Sequence, residues 1–283
     1  MLVTFHGVRG SVPTPGPSTV RYGGNTVCVS VRTADDTLIV LDAGTGVREL
    51  GNQLIGSPAL GTIHVYITHV HWDHVIGAPF FAPLWRKDTT IHLHALSETM
   101  RERLHDSVLF DGMHFPVKAI DIPATVIRAP VVEAESRVGS AVVRRIALNH
   151  PGGADGFRID DSDGSSVCYL TDNELAPPGI VTTPLEELAR FAHGAGLVIH
   201  DAQYLPSDMP AKHGWGHSLL GDVLALGRAA ECRTLALHHH DPDRADADLD
   251  LIAADARQWT DAHAKAMRVL VAYEGLRLEV KPG

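Results

Sequence analysis

Apolar positions in this chain fall into short runs, and those runs settle into an order of strands alternating with helices. Leu2–Phe5, Thr26–Val31 and Leu38–Leu41 read as strands, and Val47–Leu54 as a short helix. Ile63, Val65 and Ile67 alternate with polar neighbours and predict a strand with one buried face. Ile91–Ala95 predicts another, and Ser97 is placed to cap a helix running to about Leu109. Residues 110–117 read as a loop whose His114 and Phe115 are either filler or the flank of a pocket. Thr125–Arg128 and Ala141–Leu148 are strands, and Gly156–Asp160 with Ser166–Leu170 forms a hairpin turning at Asp163 and Gly164. Pro184–His193 predicts a helix with proline in its first turn, and Ser218–Ala230 a second one capped by Ser218. From Ala245 a longer helix keeps Leu249, Ile252, Ala253, Ala256 and Trp259 at helical spacing. Asp246, Asp248 and Asp250 suit its positive end. Leu197–His200, Thr234–Leu237, Val269–Ala272 and Leu276–Val280 complete the strands. No linker, repeat or low-complexity tract divides the series, so one α/β domain over residues 1–283 is expected.

Composition narrows this reading. A formal charge of −10 argues against an extended nucleic-acid surface, which needs a basic face. Cys28, Cys168 and Cys232 lie scattered in apolar runs without ligand spacing, as in a reducing compartment. The N-terminus lacks a signal-peptide pattern and no apolar run is long enough to span a bilayer, so the expectation is a cytoplasmic protein.

The chemistry gathers at strand ends. THVHWDHVIG, Thr68–Gly77, sets His69, His71, Asp73 and His74 within six residues directly after a strand. On an extended backbone His69, His71 and Asp73 lean one way, and His74 joins them only if the chain turns. Such a cluster is a metal-site pattern, with a histidine-rich solvated loop as the alternative. His150, Asp172 and the His238–His240 run also follow apolar strands, and strand ends converge on one edge of a sheet. The glycines of DAGTG, Asp42–Gly46, permit a sharp strand-to-helix turn, and Asp42 is placed to support a ligand. Arg9, Ser11, Arg21 and Asn25 sit in a Gly/Pro-rich connection that is either turn punctuation or an anion contact. His92, His94 and His105 are assigned to surface or core.

HVHWDH, DAGTG and the later strand-end ligands together resemble the metallo-β-lactamase superfamily over nearly the whole chain. The resemblance implies an αββα four-layer sandwich and a two-metal centre. One ion would take His69, His71 and His150; the other would take Asp73, His74 and His239, with Asp172 bridging. By the same resemblance His239 is chosen, because it aligns with the family's His that follows an apolar strand and one intervening residue; His238 or His240 stays open. Asp73 counts as both ligand and catalytic carboxylate. Imidazole and carboxylate suit two Zn²⁺ ions, with Mn²⁺ or Fe as alternatives, and a metal can bring the pKa of bound water to about 7.

HDAQY at 200–204 and GWGHS at 214–218 resemble the phosphodiesterase branch, which includes tRNA 3′-end endonucleases and cyclic-phosphate phosphodiesterases. That likeness makes His217 the general acid, oriented by Asp201, with a helix-cap neighbour as the bland alternative. Only 21 residues separate His150 from Asp172, too few for the tRNA-clamping arm of the endonucleases. The expectation is therefore a dinuclear phosphodiesterase in which a metal-bridged hydroxide attacks a small or single-stranded phosphodiester such as a cyclic nucleotide. Lactone, lactam or thioester hydrolysis, tRNA processing, and iron-dependent oxidation or metal sensing are the alternatives. A homodimer is implied by resemblance only.

Overall fold

Strand β3 (Leu38–Leu41) shows why the chain folds in layers: all four residues are apolar and buried. Ile39 and Leu41 point into one core, and Leu38 and Val40 into another beneath helix α1 (Val47–Leu54). Alternate side chains leave a strand on opposite faces, so an unbroken apolar run needs cover on both. The computed structural model, which describes residues 1–56, 60–94, 109–129 and 135–282, supplies that cover with two sheets packed face to face.

The first sheet runs β14 (Arg277–Glu279), β1 (Leu2–Gly7), β2 (Cys28–Arg32), β3, β4 (Gly61–Tyr66), β5 (Thr89–His94) and β6 (Thr125–Arg128). The second runs β13 (Arg268–Val271), β12 (Thr234–His238), β11 (Leu197–Asp201), β10 (Ser166–Leu170), β9 (Ala154–Asp161), β8 (Ala141–Leu148) and β7 (Glu135–Val138). Each sheet begins as antiparallel strands and becomes parallel, the first from β3 onward and the second from β10 onward. Parallel strands end at one edge, and there the site is built.

Val3, Phe5, Val29, Phe157, Ile159, Tyr169, Leu197 and Ile199 fill the space between the sheets. Helices α3 (Leu185–Phe191), α4 (Leu220–Ala229) and α5 (Asp246–His263) cover the outer face of the second sheet through Leu188, Val223, Leu226, Leu249 and Ile252. The result is the αββα sandwich. No helix among the described residues is long and apolar enough to cross a membrane.

Two local readings change, and a third cannot be compared. β7 was not anticipated, because ESRV at the sheet edge buries only Val138 and shows no apolar alternation. Ser218 does not cap α4, whose N-cap is Leu219; Ser218 is tied into the site instead. The helix expected from Ser97, with Ala95 and His105, lies outside the described residues.

Candidate metal centre

Asp42 follows β3, His69 follows β4, His150 follows β8, Asp172 follows β10 and His239 follows β12. The turn needed to bring in His74 is a single helical turn, α2 (Trp72–Val75), preceded by His71 in extended conformation. It buries Asp73 and His74 together. Gly77 lets this turn lie on the DAGTG loop, since a Cβ there would stand 2.0 Å from the Gly44 carbonyl oxygen.

Two groups of ligand atoms result, His69, His71, His150 and Asp172, and then Asp73, His74, Asp172 and His239. Within each group the atoms lie within 4.8 Å of one another. Asp172 belongs to both. Its Oδ2 is 3.4 Å from His69 Nε2, 3.3 Å from His74 Nε2 and 3.6 Å from His150 Nε2, and its Oδ1 is 3.1 Å from His239 Nε2. Asp73 Oδ2 is also 3.1 Å from His239 Nε2. His150 Nε2 and His71 Nδ1 stand 3.1 Å apart. His69 Nε2 and His74 Nε2 are buried with no hydrogen-bond partner among the described residues. Buried polar nitrogens are rarely left orphaned, and lone pairs converging in this way suit cations. These are candidate metal-binding groups.

The backbone is strained at the same place. Six non-glycine residues have positive φ among the described residues, and Ser11, Asp42, Asp172 and His239 are four of them, at +63°, +60°, +61° and +54°. Side chains with a Cβ adopt this region at a cost, and such positions cluster at functional sites.

Four of the five imidazoles, all but that of His71, are aimed by a partner on the other nitrogen. His74 Nδ1 donates to Asp42 Oδ2 at 2.9 Å, so Asp42 occupies the supporting place its motif suggests. The hydroxyl of Thr68 donates to Asp42 and accepts from His69 Nδ1 at 3.0 Å. His239 Nδ1 donates to Gln203 Oε1 at 2.7 Å, and His150 Nδ1 to the Gly216 carbonyl at 2.9 Å. The backbone N–H of Ser11 donates to Asp73 Oδ2 at 2.7 Å. Sequence reasoning missed Thr68, Gln203 and Gly216 in this capacity. Only the adjacency of Thr68 to His69 and of Gly216 to His217 hinted at them.

Burial alone disfavours charge on His74, but Asp172, Asp73 and Asp42 outweigh it and hold its pKa well above the usual value. Burial lowers His69, His71 and His150, with partial opposition from Asp172. Asp73 and Asp172 are desolvated, yet the imidazoles around them keep both carboxylates ionised well below the ordinary range.

His217 stacks on His239 with ring centres 4.8 Å apart, and its centre lies 5.4 Å from that of His150. Its Nδ1 is 3.6 Å from Asp201 Oδ2, a charge contact longer than a hydrogen bond. Asp201 is fully buried and held by the N–H groups of Asn173 and Ser218 at 3.1 and 2.9 Å. Burial opposes a charged His217, while Asp201, Asp172 and Asp73 prevail and raise its pKa.

Other candidates are placed elsewhere. His238 donates to the Gly7 carbonyl and His240 to that of Ala272, so neither faces the ligand groups. Arg9 is fully buried and bonded to the carbonyls of Gly23, Asp241 and Arg244; it is a structural clamp, not an anion contact. Arg21 pairs with Asp250 and Asn25 with Glu274. His92 and His94 stack with His64 on the first sheet. Phe115 packs on Phe80 and Phe110, and His114 pairs with Asp111.

A family model for the beta-lactamase superfamily domain matches residues 37–240. The chain belongs to that superfamily. Ribonuclease Z from Staphylococcus carnosus is 25% identical over 313 residues, covering 97% of this chain and 100% of the relative. The metallo-beta-lactamase fold protein YhfI from Bacillus subtilis superposes with a TM-score of 0.69 at 16% identity, covering 98% of each chain. A diphosphatase from the PhnP family superposes with a TM-score of 0.68 at 20% identity, covering 98% of this chain and 97% of that one. The two-sheet sandwich is thus the metallo-beta-lactamase fold.

Proposed function

We propose that this superfamily member is a dinuclear metal-dependent phosphodiesterase in which His217 is the general acid. His69, His71 and His150 would hold one divalent ion and Asp73, His74 and His239 the other, with Asp172 common to both; zinc suits the donors best, and manganese or iron also fits. Bound ions of this kind supply charge stabilisation at the phosphoryl group and make water acidic enough to react near neutral pH.

The observation that carries the reading is His217, stacked on His239 with Asp201 behind its Nδ1. Diester hydrolysis breaks one P–O bond to an alkoxide and forms another to the oxygen of water. The alkoxide leaves poorly unless it is protonated. His217 gives up the proton on Nε2, and Asp201 steadies the ring in the correct orientation. A placed proton donor is worth on the order of 10²–10⁴ in rate. The name of the ribonuclease Z relative supports phosphodiester chemistry.

A small diester, such as a cyclic nucleotide, is the favoured substrate. Residues 151–171 form only a tight turn and the β9–β10 hairpin, with no projecting arm, and the chain carries −10 charge. The ribonuclease Z relative makes tRNA 3′-end cleavage the second reading. One panel separates them: metal analysis, then an aryl phosphodiester, cyclic nucleotides, a tRNA precursor, a chromogenic lactam and a lactone. Turnover of the lactam alone, or undiminished alkyl-diester turnover in His217→Ala, would defeat the proposal.

A further inference from the structure

Glu174 lies two residues after Asp172 and is buried, yet no step above uses it. Its Oε1 accepts the N–H of Gly214 at 2.8 Å, and its Oε2 accepts the N–H of Gly216 at 2.9 Å. One carboxylate therefore grips one short segment with both oxygens. Gly214 and Gly216 have φ of +86° and +91°, a region that frees glycine to sample many alternatives unless something holds it.

The gripped segment leads straight to the chemistry. The carbonyl of Gly216 accepts from His150 Nδ1, and the next residue is His217. Gly216 also packs hard against the ligand, since a Cβ would stand 2.3 Å from His150 Nδ1. Glu174 is itself fixed at the other end: its backbone N–H donates to the Asn149 carbonyl at 2.8 Å, and Asn173 Oδ1 accepts the Asn149 N–H at 2.9 Å. The chain segments bearing His150, Asp172 and His217 thus meet at Glu174, the first through its backbone N–H and the last through its carboxylate.

We infer that Glu174 is a positioning residue whose carboxylate clamps Gly214 and Gly216 and so aims both the His150 imidazole and the His217 acid. The part concerning His217 rests on the proposed function; the part concerning His150 does not. An inert structural carboxylate would stabilise the loop without selecting among leaving groups.

The test uses Glu174→Gln, which keeps shape but turns one acceptor into a donor, and Glu174→Asp, which keeps the charge but shortens the reach. Amide hydrogen exchange on metal-free protein should speed up at Gly214 and Gly216 by about tenfold or more in Glu174→Gln, as expected when a local hydrogen bond is lost. Zinc affinity, read by chelator competition, should fall about 10–100-fold, the range for groups that orient a ligand. With loaded enzyme, Glu174→Gln should lose about tenfold in kcat on an alkyl leaving group and much less on p-nitrophenoxide, because only the former needs the acid. Glu174→Asp should restore part of each loss. His217→Ala serves as the reference. If it shows no leaving-group dependence, the acid assignment fails, and exchange and zinc affinity still decide the clamp. Unchanged exchange at both glycines with wild-type zinc affinity would overturn the inference. Equal loss on both leaving groups, with His217→Ala showing the dependence, would overturn the coupling to His217.

Discussion

Asp42→Asn tests whether a residue outside the ligand groups controls the second of them. Asp42 Oδ1 accepts the N–H and hydroxyl of Thr68 at 2.8 and 3.0 Å. Oδ2 accepts His74 Nδ1–H at 2.9 Å and the hydroxyl of Tyr169 at 3.0 Å. Asparagine matches the size of aspartate and tolerates the φ of +60° found here, so the backbone is not perturbed. Its amide nitrogen in the place of Oδ2 would meet His74 Nδ1–H donor to donor. His74 would then lose the acceptor that fixes its Nδ1–H and one of the carboxylates that hold its pKa up, and its ring is freed to turn Nε2 away from Asp172 and Asp73. A cation must re-orient that ring before it can be held. Loss of such an orienting partner costs about 10–100-fold in metal affinity, or about 1.4–2.8 kcal/mol. The assay is zinc titration against a competing chelator near neutral pH. One of the two binding constants should fall by that factor while the other holds. Two constants within about threefold of wild type would refute the reasoning, since a range starting at tenfold leaves no room for it.

Other outcomes follow from the same geometry. His150→Ala should abolish turnover and lower bound metal; full metal occupancy would show that the first group is drawn wrongly. Gly216→Ala puts a Cβ 2.3 Å from His150 Nδ1 at a φ of +91°, so metal affinity should drop without loss of the fold, checked by circular dichroism and metal analysis. Zinc affinity should rise with pH by about tenfold per unit for one displaced proton until His74 is deprotonated, because carboxylates hold its pKa up; a flat profile would count against this. Burial lowers His6 and His64 to about 4 and His94 to about 3. Above the unfolded value of about 6.5 these rings add nothing, and below it the unfolded chain takes protons that the fold refuses. The mostly buried His6 and His94 then cost about 2 kcal/mol each by pH 5 and the half-exposed His64 less because solvent screens it, order-of-magnitude figures that equal urea stability of metal-free protein at pH 7 and 5 would contradict.

The candidate ligands were legible because they are His and Asp residues at or just beyond the ends of apolar strands, and local pattern reports strand ends well. His239 could be chosen over its neighbours only by resemblance; in the structure the positive φ at His239 turns it inward while His238 and His240 go to backbone carbonyls. The supporting groups were not legible. Gln203 and Gly216 reach their imidazoles from separate segments, and nothing in local spacing records that approach. Arg9 misled for the opposite reason. Its glycine- and proline-rich surroundings suggest an open loop, but backbone pairing of Arg9 with Thr26 and His240 draws it inside. Polar composition marks the edge strand β7 as a loop for the same lack of a buried face.

Charge bears on what the proposed centre would hold. Asp42, Asp73 and Asp172 are buried together, and among the described residues no lysine or arginine pairs with any of them. Buried carboxylates with no cationic lysine or arginine are costly, and the raised pKa values of His74 and His217 offset that charge only in part. The arrangement therefore favours cations over an empty fold. Two divalent ions, if held there, would set four positive charges against three carboxylates, one formal positive charge before a bound hydroxide is counted, so the centre would not share the acidic character of the exterior. On the proposed reading a small anion would meet that centre at close range and little of the acidic surface, whereas a long polyanion would have to lie across a chain of −10 charge.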